Sequence, residues 1–176
     1  MKTKNIQRVA LVGGGVIGSG WATRCLAHGL SVVVTDPSPA AVEMILKTVD
    51  SAWPILEEAG IDEKADRSKL EFAPDIETAV ADADFVQENV PEREDLKIAV
   101  HEEIGRHAKG DIVVASSSSG LLPSRLQSRC RRPERLVIGH PFAPVYLLPL
   151  VEVVGGEQTS LEFVRAAGAF YRQIGM

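Results

Sequence analysis

The 176-residue chain, 45% hydrophobic and 24% charged, has the balance of a folded domain rather than of a disordered segment. A formal net charge of −5 argues against a nucleic-acid partner, and the densest basic stretch, Arg129 to Arg135, is interrupted by Pro133 and Glu134. Two cysteines, Cys25 and Cys130, stand far apart without metal-ligand spacing, so the sequence implies free thiols in a reducing compartment and no bound metal.

Met1 to Asn5 carries no apolar signal segment and no run approaches membrane-span length, so a cytoplasmic protein without a membrane partner is expected. Arg8-Val-Ala-Leu-Val12 reads as a buried strand, Val16 to His28 as a helix ended by Gly29, and Ser31-Val-Val-Val-Thr35 as a second strand. A helical stretch follows over about 39 to 60, in which Pro54 is expected to produce a kink or a split, because proline lacks the amide hydrogen and crowds the preceding turn. Leu70 to Ala73 reads as a short strand, Ile76 to Ala81 as a short helix and Asp84 to Val90 as another strand. Arg93 to His107 forms a helix with apolar residues at 96, 98, 99, 100 and 104, closed near Gly110. Ile112 to Ser116, Arg135 to Gly139 and Leu150 to Val154 are the last strands, and Ser160 to Ile174 is a terminal helix. Strands alternating with helices predict one α/β domain over 1–176 with a doubly wound Rossmann-type sheet, mostly parallel, the last strands (about 135–154) being candidates for antiparallel pairing.

Gly13-Gly-Gly-Val-Ile-Gly18 fits G-x-G-x-x-G through Gly13, Gly15 and Gly18. It follows a strand and opens a helix, and Asp36 ends the next strand 23 positions after Gly13, which makes the motif specific. Gly13 permits the tight turn, Gly15 lets the backbone approach a pyrophosphate, and Gly18 lets the helix pack closely on the strand. Amides at the helix start, those of Val16 and Ile17 among them, then face the phosphate oxygens. The Asp36 carboxylate accepts from ribose hydroxyls and repels a 2′-phosphate, and no Arg or Lys stands at 37 to 46 to offset it, so the cofactor is read as NAD rather than NADP.

In a parallel sheet, ligands lie beyond the carboxyl ends of the strands. There the chain delivers Gln87-Glu-Asn-Val-Pro-Glu92, then Ser116-Ser-Ser-Ser119 followed by Gly120-Leu-Leu-Pro123, then His140-Pro141 after Leu136-Val-Ile-Gly139. Each has a structural reading of its own: serines end strands and cap helices, with Ser119 to Leu121 opening the next helix, and a single histidine is commonly structural. Their coincidence at one sheet edge favours a site.

Together with the stretch from His140 to Gly156, these residues make the chain resemble the NAD-binding domain of the 3-hydroxyacyl-CoA dehydrogenase superfamily, most closely its carnitine-oxidising members. The resemblance implies a His–Glu pair at His140 and Glu152, an active-site serine at Ser119, and a nicotinamide-side Glu and Lys at Glu92 and Lys97; Ser117 is a further candidate cofactor contact. His140 would take the hydroxyl proton as hydride leaves a secondary alcohol, Glu152 would hold the other ring nitrogen, and Ser119 would bond the same substrate oxygen. The implied substrate is a small 3-hydroxy acid, L-carnitine first, with L-gulonate and 3-hydroxyacyl-CoA as alternatives and a noncatalytic NAD-binding module as the contrasting class. A trimethylammonium group favours an aromatic face, for which Phe142 and Tyr146 are candidates. Ala143 departs from the family, which has Asn there. The resemblance also implies a further strand and a helical domain beyond Met176 that closes the pocket and carries a homodimer interface, so 1–176 is expected to be a truncated domain and its own dimerisation is in doubt.

Overall fold

A computed structural model describes residues 5–176, so the reading of the first residues falls, at 1–4, outside them. Seven strands, β1 (Arg8–Val12), β2 (Ser31–Thr35), β3 (Leu70–Phe72), β4 (Phe85–Glu88), β5 (Val113–Ser116), β6 (Leu136–Pro141) and β7 (Val151–Gly155), form one sheet. Their order is β3-β2-β1-β4-β5-β6-β7. All neighbours are parallel except β6 and β7, which are antiparallel. The chain therefore runs outward from β1 to β3 and returns to place β4 on the other side of β1. That reversal is where a doubly wound sheet opens a ligand crevice.

The central strands are buried on both faces, as their unbroken apolar runs require. The period of two then divides each strand between two cores. Val9 and Leu11, Val32 and Val34, and Phe85 face one layer; Ala10 and Val12, Val33, and Val86 face the other. The first layer is covered by α1 (Val16–Ala27), α2 (Ala40–Ala59) and α6 (Leu161–Gln173), the second by α3 (Ile76–Val80) and α4 (Glu94–His107). Fully buried Leu11, Leu26, Ile45 and Phe85 anchor the first layer, each contributing about 1.5–3 kcal/mol of transfer free energy. Phe85 stacks on Phe170 at 4.0 Å between ring centroids, which ties α6 to the sheet centre.

Helix α2 corrects the split expected at Pro54. It runs unbroken through Pro54, neither split nor ended there. Ala52, Trp53 and Leu56 bury the proline's own turn, whereas Pro54 and Asp50, the residue whose carbonyl loses its amide partner, are both exposed. The missing hydrogen bond thus falls on the solvent face, where water can replace it, while apolar anchors hold both halves of the helix.

Both thiols are pushed up by burial, Cys25 to about 12 and Cys130 to about 11, which leaves them as unreactive packing groups. Among the described residues no helix is long and apolar enough to cross a membrane.

Candidate active site

The glycine loop between β1 and α1 is built by close backbone approach. Gly13 has φ +101°, and a Cβ there would lie 2.8 Å from the Asn89 carbonyl; a Cβ on Gly18 would lie 2.0 Å from the Gly13 oxygen. Gly15 differs, since a Cβ there would meet nothing within 4 Å. Its bareness serves no contact inside the chain and leaves backbone open toward a ligand, which is what a pyrophosphate cradle needs. Val16 is 70% exposed at the start of α1 and lines the same opening.

Asp36 follows β2 and is bound to this loop. Its Oδ2 accepts from the Gly14 amide at 2.7 Å and its Oδ1 from the Ser38 amide at 2.8 Å. Each carboxylate oxygen keeps a second lone pair, enough to accept from a vicinal diol. With the carboxylate fixed and paired with no cation among the described residues, NAD should bind at least about tenfold more tightly than NADP, a difference of roughly 1.4 kcal/mol. Calorimetric titration with the two cofactors measures this, and tighter binding of NADP would contradict the role given to Asp36.

A continuous cleft of about 800 Å³ runs from Asp36, Pro37 and Ile76 past the glycine loop to Glu92, Ser117, Ser119 and His140. Dimensions and lining suit an extended dinucleotide, adenosine end at Asp36 and nicotinamide end at the strand termini of β4, β5 and β6.

The four serines of the run differ in what their hydroxyls meet. Ser116 Oγ donates to Glu88 Oε2 at 2.5 Å. Ser117 Oγ accepts from Trp21 Nε1 at 3.1 Å and Gln87 Nε2 at 2.8 Å and donates to Asn89 Oδ1 at 2.7 Å, so its bonding capacity is filled from inside the protein. Ser118 Oγ donates to Glu92 Oε1 and accepts from the Leu121 amide. Ser119 is the exposed serine of the run and lines the cleft, and no described residue bonds its hydroxyl; its backbone amide, at 2.9 Å, helps hold Glu92. Ser119 to Leu121 does not open a helix. The next one, α5 (Pro123–Leu126), starts at the proline, and the amides of 119 to 121 go to Glu92 and Ser118.

Glu92 and Lys97 meet, but more loosely than their expected partnership implies. Lys97 Nζ lies 3.5 Å from Glu92 Oε2 and 2.7 Å from Glu88 Oε1, with the Val90 carbonyl at 3.0 Å. Glu88 is completely buried and also receives the Val90 amide at 2.7 Å and faces His101 Nε2 at 3.2 Å. Burial pushes the Glu88 carboxyl up, yet His101 and Lys97 together outweigh it and hold it below the ordinary value. For Glu92, burial again raises, and the Ser118 hydroxyl, the Gly120 and Ser119 amides and the Lys97 ammonium bring the net position down.

Antiparallel pairing of β6 and β7 puts His140 directly opposite Glu152, and His140 Nδ1 lies 3.0 Å from Glu152 Oε2. The twelve-residue separation is thus a hairpin register, with the loop over 142–150 as the turn. The backbone under His140 is held as well: Gln87 Nε2 donates to the Gly139 carbonyl at 3.1 Å, and Gln87 Oε1 accepts from the buried Tyr171 hydroxyl at 2.7 Å. The Phe142 ring centroid is 5.2 Å from that of His140. Tyr146 packs against the first core layer and its carbonyl accepts from Arg24, so it does not line the cleft.

Residues 8–176 match the model of the 3-hydroxyacyl-CoA dehydrogenase, NAD binding domain, family. The chain is 54% identical over 171 residues to an L-carnitine dehydrogenase of Burkholderia mallei, covering 97% of this chain and 53% of that protein. It is 49% identical over 176 residues to an L-carnitine dehydrogenase of Bacillus cereus, covering 100% of this chain and 54% of that one. A crystal structure of 5-formyl-3-hydroxy-2-methylpyridine 4-carboxylic acid 5-dehydrogenase, an NAD+-dependent dismutase, superposes with a TM-score of 0.89 at 34% identity, over 98% of this chain and 56% of that one. The chain therefore spans about half the length of the curated relatives it matches.

Proposed function

Because the chain belongs to the NAD-binding domain family of the 3-hydroxyacyl-CoA dehydrogenases, we propose that it carries the cofactor and base half of an NAD-dependent dehydrogenase that oxidises a small 3-hydroxy acid, L-carnitine foremost. The observation that carries this reading is His140 paired with Glu152 at one end of the cleft whose other end is formed by the glycine loop and Asp36. A domain that only binds the dinucleotide has no need of a carboxylate-oriented imidazole there.

When bound, NAD supplies the hydride acceptor. Gly13 and Gly15 with the first amides of α1, those of Val16 and Ile17, would hold its phosphates, Gly18 would let α1 pack against the loop, Asp36 would hold its adenosine ribose, and Glu92 and Lys97 would line its nicotinamide end. His140 accepts the substrate hydroxyl proton at Nε2, since Nδ1 faces Glu152, and Glu152 stabilises the imidazolium that results. Ser119, whose hydroxyl is uncommitted, donates to the same substrate oxygen. Ser117, with its bonding filled from inside, orients Asn89 at the cleft wall. Phe142 beside His140 offers an apolar face for a quaternary ammonium group. The choice of carnitine rests on the names of the two bacterial relatives and on that ring.

The deciding experiment follows NAD reduction by absorbance with carnitine, gulonate, 3-hydroxybutyrate and its CoA ester, on this chain and on a form extended to the length of its relatives. The highest kcat/KM is expected with L-carnitine. Reduction with the CoA ester alone would overturn the substrate, and NAD binding without turnover of any of the four by the extended form would leave the noncatalytic module.

A further inference from the structure

Beneath the nicotinamide end, two buried polar atoms are left over. His101 and Arg135 are each 2% exposed, and His101 Nδ1 and Arg135 Nη2 have no hydrogen-bond partner among the described residues. Both side chains line one small pocket of about 10 Å³, together with Gly105, Val114, Cys130 and Leu136, with Arg132 at its edge. That volume is about what one water molecule requires. Two unpartnered polar groups on residues lining one such pocket, each costly if left unpaired, point to an occupant they share.

The chemistry of the neighbours identifies it. Glu88 Oε1 accepts from Lys97 Nζ and the Val90 amide, and Oε2 faces Ser116 Oγ and His101 Nε2. Paired with the buried Lys97 ammonium, Glu88 is a carboxylate and can only accept, so the proton of the His101–Glu88 contact sits on Nε2. In a neutral ring carrying that proton, Nδ1 is an acceptor. Arg135 Nη2 can only donate; its Nη1 is spent on the Lys109 carbonyl. The occupant must accept from Arg135 and donate to His101. Water does both, whereas a halide does only the first and would require an imidazolium beside two arginines.

We propose that one bound water bridges Arg135 Nη2 to His101 Nδ1, and that His101, fixed by it as the Nε2–H tautomer, is a positioning residue that holds Lys97 at the cofactor cleft through Glu88. Arg135 ends the turn before β6 and His101 lies on α4, so the chain of bonds joins the β6 lead-in to the cleft wall. The positioning part rests on the cofactor role given to Lys97 above; the water and tautomer do not.

The test combines a high-resolution crystal structure, a bromide soak and long-range 1H–15N spectra of the labelled chain with NAD titrations of H101F and H101Q. Expected are a single water-sized density between the two nitrogens with no anomalous bromide peak, and a neutral Nε2–H pattern for His101 at neutral pH. H101F should weaken NAD binding about tenfold, and H101Q, whose amide can donate to Glu88, should stay within about threefold. A bromide peak, an Nδ1–H or doubly protonated ring, or an H101F protein that loses stability yet keeps its NAD affinity would overturn the proposal. If H101F does not fold, the spectra and density of the wild type still decide. Failure of the wild type to bind NAD would overturn the dehydrogenase reading and the positioning role with it, while the tautomer result would stand.

Discussion

Replacing His140 by glutamine should lower kcat by about 10²-fold or more, the usual loss when a general base is removed, and leave the NAD dissociation constant within about threefold. The split follows from position. His140 sits at the end of β6, at the opposite end of the cleft from Asp36 and beyond the glycine loop, so cofactor affinity has other sources. Glu152→Gln tests the second half of the pair. The Glu152 side chain is 60% exposed, so its attraction for an imidazolium is screened by solvent, and a glutamine oxygen can still accept from Nδ1. A smaller loss, about tenfold, is therefore expected, with the tautomer preserved and only the charge removed. Steady-state kinetics with the substrate preferred in the panel, on the extended form, provide the check. Turnover within about threefold of the wild type for His140→Gln would end the assignment of His140 as base.

The strands and the glycine loop were legible because each is written locally, in a β-branched run and a glycine spacing; the His140–Glu152 pair came from the family resemblance, and the strand order and the hairpin register belong to the fold. The split expected at Pro54 did not occur for a tertiary reason, since Trp53 and Leu56 clamp the helix where local chemistry alone would break it. Helix α4 shows what periodicity conceals. Its buried face is Lys97, Val100, His101 and Ile104, an i, i+3, i+4, i+7 stripe in which two of four residues are polar. Apolar counting skips Lys97 and His101, although their fit to the stripe was a usable signal. Glu88 was passed over as part of a buried strand, and its pairing with α4 depends on a crossover distance that spacing does not encode. Gln87 and Tyr171 lie 84 positions apart, and nothing short of the folded sheet brings them together. The four serines look equivalent in the sequence; the structure separates them because strand alternation and the turn send each hydroxyl in a different direction.

Lys97→Met should cost about 3–5 kcal/mol of stability at neutral pH, because it leaves the Glu88 carboxylate buried without its counter-ion. The lysine is 1% and the glutamate 0% exposed, so water cannot take the place of the ammonium. The pH dependence has a definite sign. In the wild type the Glu88 carboxyl lies below its ordinary value, so its contribution is full above the unfolded-state value, about 4.3, and is lost only as pH falls through the lower folded value. In the variant, burial is opposed by His101 without Lys97, and the carboxyl rises. Proton uptake then relieves the variant where it would weaken the wild type, so the gap between the two should narrow as pH falls from 7 to 5. Glu88→Gln added to Lys97→Met should recover much of the loss, since the amide oxygen can still accept from the Val90 amide and no charge remains buried. Urea unfolding of the three proteins at both pH values measures this. A loss below about 1 kcal/mol for Lys97→Met, or a gap that widens toward acid, would mean that the Glu88–Lys97 contact does not carry the charge balance under the cleft.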